Sequence, residues 1–151
     1  MSTIKEVADI LRNANHIYVF GNGGSAATAS HMVADLAKMC RLRVHCLNDN
    51  IPMLTAYAND IHCDVIFSYP LRIYLQKGDV VIGISCSGDS ENVLEGIRSA
   101  KLRGNKTISF TGMDGGKLKK LTDYNLHIEG NMQESEDGHL RIVHELYRLL
   151  R

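Results

Sequence analysis

Two short runs of glycine and serine, and two helix-spaced sets of histidine with carboxylate, are the residues of this chain equipped to do chemistry. The first run, GNGGS at 21–25, follows the β-branched and aromatic segment HIYVF and precedes an alanine-rich segment that can only be helical. A strand, a glycine turn and a helix start therefore come in succession. Such a turn is expected to leave the N–H groups of Gly23, Gly24 and Ser25 unpaired at a helix N-terminus, where the macrodipole favours an anion. The side chains of Asn22 and Ser25 can add hydrogen bonds. The second run, SCSGDS at 85–90, repeats this logic after another apolar strand. It brings the hydroxyls of Ser85, Ser87 and Ser90 together with the main chain of Cys86. A helix cap would account for one serine or two; a phosphate cradle uses all three. Serine holds phosphate oxygens without bringing a charge, and the GxxxxGK[ST] pattern is absent, so no nucleotide cofactor is expected.

His31 and Asp35 stand four apart, on one face of the helix that begins at the glycine turn. The closing segment carries Glu136, Asp137, His139 and His144. Asp137 and His144, seven apart, share nearly one face, and Glu136 lies within about 80° of His144 around the helix. An isolated His/carboxylate pair is more often a surface ion pair than a site. Two such sets on two helices can form one centre for a divalent cation or for proton transfer. His139 points elsewhere and is expected to be solvated or to stand behind the ligating residues. His16, His45, His62 and His127 lack such company and are read as structural.

Positioning these residues requires alternating strands and helices. Apolar periodicity predicts helices over 3–13, 25–39, 51–58, 65–75, 90–102 and 135–150, with a short one at KLKKL. Strands are predicted at HIYVF, over 44–47, at DVVIGIS, at KTISFTG and at the more polar YNLHIE, which suits a sheet edge. Pro70 is expected to interrupt the 65–75 helix. The alternation implies an α/β three-layer sandwich, a doubly wound five-stranded parallel sheet with helices on both faces. In such sheets ligands gather outside the carboxyl ends of the strands, at the switch point in strand order. No solenoid repeat or low-complexity linker divides the chain, so residues 1–151 read as one domain.

Composition narrows the partners. The 17 basic and 17 acidic residues cancel, which offers nothing to the nucleic-acid backbone or to an anionic membrane. Four cysteines without CxxC spacing read as reduced thiols. The charge-broken first residues resemble no secretory signal, and no run reaches the ~20 apolar residues of a membrane span. The expectation is a cytoplasmic protein acting on a small molecule.

Taken in order, GNGGS, HMVAD at 31–35, AND at 58–60, SCSGDS, TGMDGG at 111–116 and the terminal EDxHxxxxH resemble the SIS (sugar isomerase) domain, and within it the phosphoheptose isomerase group. The resemblance implies a five-stranded parallel sheet, a homo-oligomer (dimer or tetramer) with sites between subunits, and a phosphorylated heptose or hexose as substrate. It implies substrate contacts at Asn22, Gly23, Gly24, Asn59, Asp60, Ser85, Cys86, Ser87 and Ser90, and Ser25 and Glu136 are expected to join them. It also implies a zinc or other divalent cation on His31, Asp35, Glu136 and His144, with Asp35 and His144 as the acid–base pair. This chain departs from the group's pattern at Asp35, where Glu is usual, at Glu136, where Gln is usual, and at Cys86, where Thr is usual.

The resulting expectation is an aldose–ketose isomerase working through an enediol, with the phosphate in 85–90 and sugar oxygens on Gly23 and Gly24. The alternative is a non-catalytic sugar-phosphate sensor, or an assembly factor of the kind that promotes replication initiation. Such a protein keeps the serine cradle and leaves the metal set free to drift.

Overall fold

A computed structural model describes residues 2–151. Five strands, β1 (Ile17–Gly21), β2 (Val44–Cys46), β3 (Val80–Ser85), β4 (Lys106–Thr111) and β5 (Tyr124–His127), pair in the order β2-β1-β3-β4-β5. Every pairing is parallel. This is the doubly wound order whose direction reverses between β1 and β3. The GNGGS and SCSGDS loops leave the carboxyl ends of those two strands, so they flank the switch point.

The helices are α1 (Ile4–Arg12), α2 (Gly24–Cys40), α3 (Ile51–Asp60), α4 (Ser68–Tyr74), α5 (Glu91–Leu102), α6 (Leu118–Leu121) and α7 (Met132–Leu150). Strand residues alternate between two cores, as the pleat requires. Ile17 and Val19 of β1 join Leu11, Met32, Leu36, Val143 and Leu146 from α1, α2 and α7. Tyr18 and Phe20 join Phe67, Leu71, Leu94 and Ile97 from α4 and α5 on the other face. The sandwich thus has three layers, and the central strands β1 and β3 are buried along their whole length.

Helix bounds differ from the sequence expectation in places, and α3 runs on to Asp60, two residues past its predicted end. The 65–75 helix is a 3-10 turn, Cys63–Val65, followed by the shorter α4, in which Pro70 sits in the first turn, where its missing N–H costs nothing. α2 begins at Gly24. α7 begins at Met132, three residues before the predicted start, because Asn131 and Glu134 form a capping box: Glu134 N donates to Asn131 Oδ1 at 3.1 Å, and Asn131 N to Glu134 Oε2 at 2.8 Å.

Candidate active site

At the end of β3 the three serines converge. Ser85 Oγ lies 3.1 Å from Ser90 Oγ and 3.5 Å from Ser87 Oγ, and accepts the Gly88 N–H at 3.1 Å. Ser90 stands at the N-cap of α5, yet its hydroxyl makes no cap bond. The capping explanation therefore fails for the residue it suited best. These hydroxyls, with Asn22, Ser25, Cys86, Met132 and Glu136, line a hollow of about 170 Å³. That is room for a phosphoryl group and the start of a carbon chain.

The loop TGMDGG holds the serine turn from beneath. Gly88, at φ +71°, lies so close to the carbonyl of Gly115 that a side chain there would collide with it. Leu118 N donates to Gly88 O at 2.9 Å, Gly112 N to Cys86 O at 3.0 Å and Lys117 N to Asp89 Oδ1 at 3.1 Å. Burial raises the thiol pKa of Cys86 and Glu136 adds to the effect, against a hydrogen bond from Ser25, so its surroundings disfavour the thiolate.

On the glycine turn, Gly23 adopts φ 55° and N-caps α2 without a side-chain bond. The N–H groups of Gly23 and Gly24 have no partner among the described residues, whereas Ser25 N donates to Asn22 O at 2.9 Å. Ser25 thus departs from the expectation of three free donors, because the turn closes on itself. Asn22 is fixed by a reciprocal amide pair with Asn92, at 2.8 and 3.0 Å, which ties the glycine loop to α5 behind the serines.

His31, Asp35 and His144 come together from α2 and α7. His31 Nε2 lies 3.3 Å from His144 Nε2 and 3.2 Å from Asp35 Oδ2, and His144 Nε2 lies 3.7 Å from the same oxygen. Donors around a tetrahedral zinc, with bonds of about 2.0–2.1 Å, are roughly 3.3 Å apart. Two imidazoles and a carboxylate at these separations would fit such an ion. Among the described residues it is the one group of three His, Cys, Asp or Glu so arranged.

Of its two expected places, Glu136 takes the one at the substrate loops and not the one in the metal set. It is absent from that group; its carboxylate packs on Gly24 and lines the serine hollow, two helical turns from His144. Asp137 is exposed and belongs to neither. Asn59 and Asp60, at the exposed end of α3, bond to each other at 2.9 Å and do not line the hollow. His139, expected to be solvated or behind the ligating residues, is completely buried. His16 and His45 bond to each other at 2.8 Å beside a separate hollow of about 310 Å³, and His127 bonds to Thr111 Oγ1 at 2.9 Å.

A family profile described as the SIS domain matches residues 2–112. The chain belongs to the SIS domain family. A probable phosphoheptose isomerase of Thermoplasma acidophilum is 39% identical over 151 residues, spanning 96% of this chain and 83% of the relative. A phosphoheptose isomerase of Thermodesulfovibrio yellowstonii is 38% identical over 160 residues, spanning 99% and 80%. Among solved structures, phosphoheptose isomerase GmhA from Neisseria gonorrhoeae superposes with a TM-score of 0.91 at 30% identity, over 98% of this chain and 85% of that one. The SIS fold predicted from the motifs is the fold observed, and its glycine and serine loops occupy the switch point of the sheet.

Proposed function

We propose that this SIS protein is a sugar-phosphate aldose–ketose isomerase acting on sedoheptulose 7-phosphate or a close analogue. The observation that carries the reading is the convergence of His31, Asp35 and His144 from two separate helices, beside a serine cradle that needs no lysine. The names borne by relatives that match nearly the whole chain support the same reaction.

In this reading the phosphate accepts hydrogen bonds from Ser85, Ser87 and Ser90 and from the open N–H groups at the start of α5, whose dipole adds to the attraction. Gly23, Gly24, Asn22 and Glu136 take sugar oxygens, and Cys86 closes one side of the phosphate. Asp35 turns Oδ2 to the imidazoles and keeps Oδ1 for a proton moving between C1 and C2, with His144 as its acid–base partner. A zinc or other divalent ion on His31, Asp35 and His144, when bound, supplies a Lewis acid for the substrate carbonyl. Glu136, drawn to the cradle, serves the substrate in preference to the metal.

His31 lies seven residues beyond Gly24 on α2, about 10 Å along the axis. With sugar oxygens at Gly24 and the phosphate on the serine turn, a substrate whose phosphate and carbonyl stand at opposite ends suits this spacing. A cytoplasmic homo-oligomer, a dimer or tetramer, completes the proposal. Its support is α3, which buries none of its residues and leaves Ile51 and the following Ile61 exposed. Asn59 and Asp60 would then reach the site of a neighbouring copy. All four cysteines are free, as suits a reducing compartment. The test is a substrate series with zinc supplied: turnover of ketose 6- or 7-phosphates and none of 1-phosphates is expected. Equal turnover of 1-phosphates, or none of any phosphate, would overturn the reading.

A further inference from the structure

His139 lies at the middle of α7 with no exposed surface, three residues after Glu136 and five before His144. Its Nε2 lies 3.0 Å from the carbonyl oxygen of Thr111, at the end of β4. A carbonyl can only accept, so this nitrogen carries the proton and Nδ1 presents a bare lone pair. Nδ1 is the one buried side-chain nitrogen or oxygen among the described residues that has no hydrogen-bond partner. The ring packs beside Phe110, with centroids 6.0 Å apart. An apolar side chain would fit these surroundings without leaving an orphan.

The carbonyl that His139 meets has no need of it. Thr111 O already accepts the Ile128 N–H at 2.9 Å. The Thr111 hydroxyl is engaged as well, 2.9 Å from His127 Nδ1 and within reach of Asn125. For stability alone, the imidazole is a poor choice: it adds a second bond to a satisfied acceptor and buries an unsatisfied one of its own. What it does supply is a fixed point. Thr111 stands opposite Ser85 in the β3–β4 register, and Gly112 N next to it holds Cys86 O. The bond from His139 therefore ties α7 to the strand end that carries the serine turn.

We propose that His139 is a positioning residue, setting the height and rotation of α7 so that Glu136 meets the substrate hollow while His144 meets Asp35 and His31. Small residues bring the helix close at the same level. Gly138 packs on Ile128, where any side chain would collide, and Gly112 packs on Ser135 in the same way. Burial also lowers the imidazole's pKa, against the Thr111 bond and the nearby Glu136 carboxylate, so the ring stays a neutral Nε2–H donor. The inference rests on the isomerase reading for its kinetic consequences and stands apart from it in its structural one.

The test compares His139→Leu with His139→Gln, whose amide nitrogen reaches the Nε2 position. For the Leu variant we expect an unchanged or higher Tm, a tenfold or greater loss of kcat on sedoheptulose 7-phosphate, and a smaller rise in KM as Glu136 shifts in the hollow. The Gln variant should recover most of kcat. A Leu variant that fails to fold, that keeps full kcat, or that Gln does not improve would overturn the proposal. If the parent itself turns over no sugar phosphate, the isomerase reading falls, and a crystal structure of the Leu variant decides this one. The His144 Nε2 to Asp35 Oδ2 separation should then open well beyond 3.7 Å; an unmoved α7 contradicts the role.

Discussion

The serine turn works because one hydroxyl is its hub. Ser85 Oγ takes the Gly88 N–H and stands within hydrogen-bond range of both other serines, so it sets where all three point. A hydrogen bond to a charged group contributes about 1.5–3 kcal/mol, roughly a ten- to hundredfold change in binding. Replacing Ser85 by Ala should therefore raise KM for the sugar phosphate at least tenfold while kcat stays within about threefold, read by steady-state kinetics. A fall in kcat with KM unchanged would place the phosphate elsewhere. These residues were legible in the sequence because local spacing alone brings them together: 85, 87 and 90 lie in one turn, and 31 and 35 on one helix face. His144 was legible only through the family resemblance, since spacing along α7 paired it with Asp137 and Glu136, and neither joins the cluster. Which of its two expected roles Glu136 takes, and where His139 sits, were not readable, because their surroundings come from other parts of the chain. Gly24 and the serine hollow draw the carboxylate in, and Thr111 captures the imidazole, contacts that no spacing along α7 encodes.

At the scale of elements, the sheet's far edge hangs on one carboxylate. Asp123, just before β5, accepts Thr107 N and Oγ1 of β4 on Oδ2, each at 2.8 Å, and Lys101 Nζ of α5 on Oδ1 at 2.6 Å. Burial alone would raise its pKa, but the Lys101 ammonium and the Thr107 donors outweigh it and hold the carboxyl below its ordinary value. A group depressed on folding contributes its full stability above its unfolded pKa, near 4, and loses it as pH falls through the lower folded value. Asp123→Asn should lower Tm at pH 7, by an amount corresponding to less than about 1 kcal/mol because Asp123 is partly exposed. That difference should persist to pH 5 and shrink below about pH 4 in calorimetric scans. The order of the elements was readable from alternating apolar runs. Their ends were less so where side chains set them: the Asn131–Glu134 box starts α7 early, and Pro70 opens α4 instead of breaking a longer helix. Right-handed crossovers allow more than one strand order, and the pairings of β1 with both β2 and β3 fix the one adopted.

For the whole molecule, the two helices that cross the switch point do different work at their two ends. α2 and α7 meet the serine and glycine loops at their N-terminal turns, and about two to three turns from their starts they bring His31, Asp35 and His144 into a single cluster. The chain's even charge balance leaves recognition to this local arrangement of donors and the helix dipole. No helix among the described residues is long and apolar enough to cross a membrane. The central claim is that the cluster moves a proton between adjacent carbons of a ketose held by its phosphate. The most direct measurement is NMR of sedoheptulose 7-phosphate in D2O with zinc-supplemented protein, following the C1 hydrogens. Deuterium should enter at C1 with the parent chain, and its rate should fall by about a hundredfold or more with His144→Ala, the span typical of a lost acid–base group. Absence of exchange with the parent, or exchange unaffected by the loss of His144, would contradict the account.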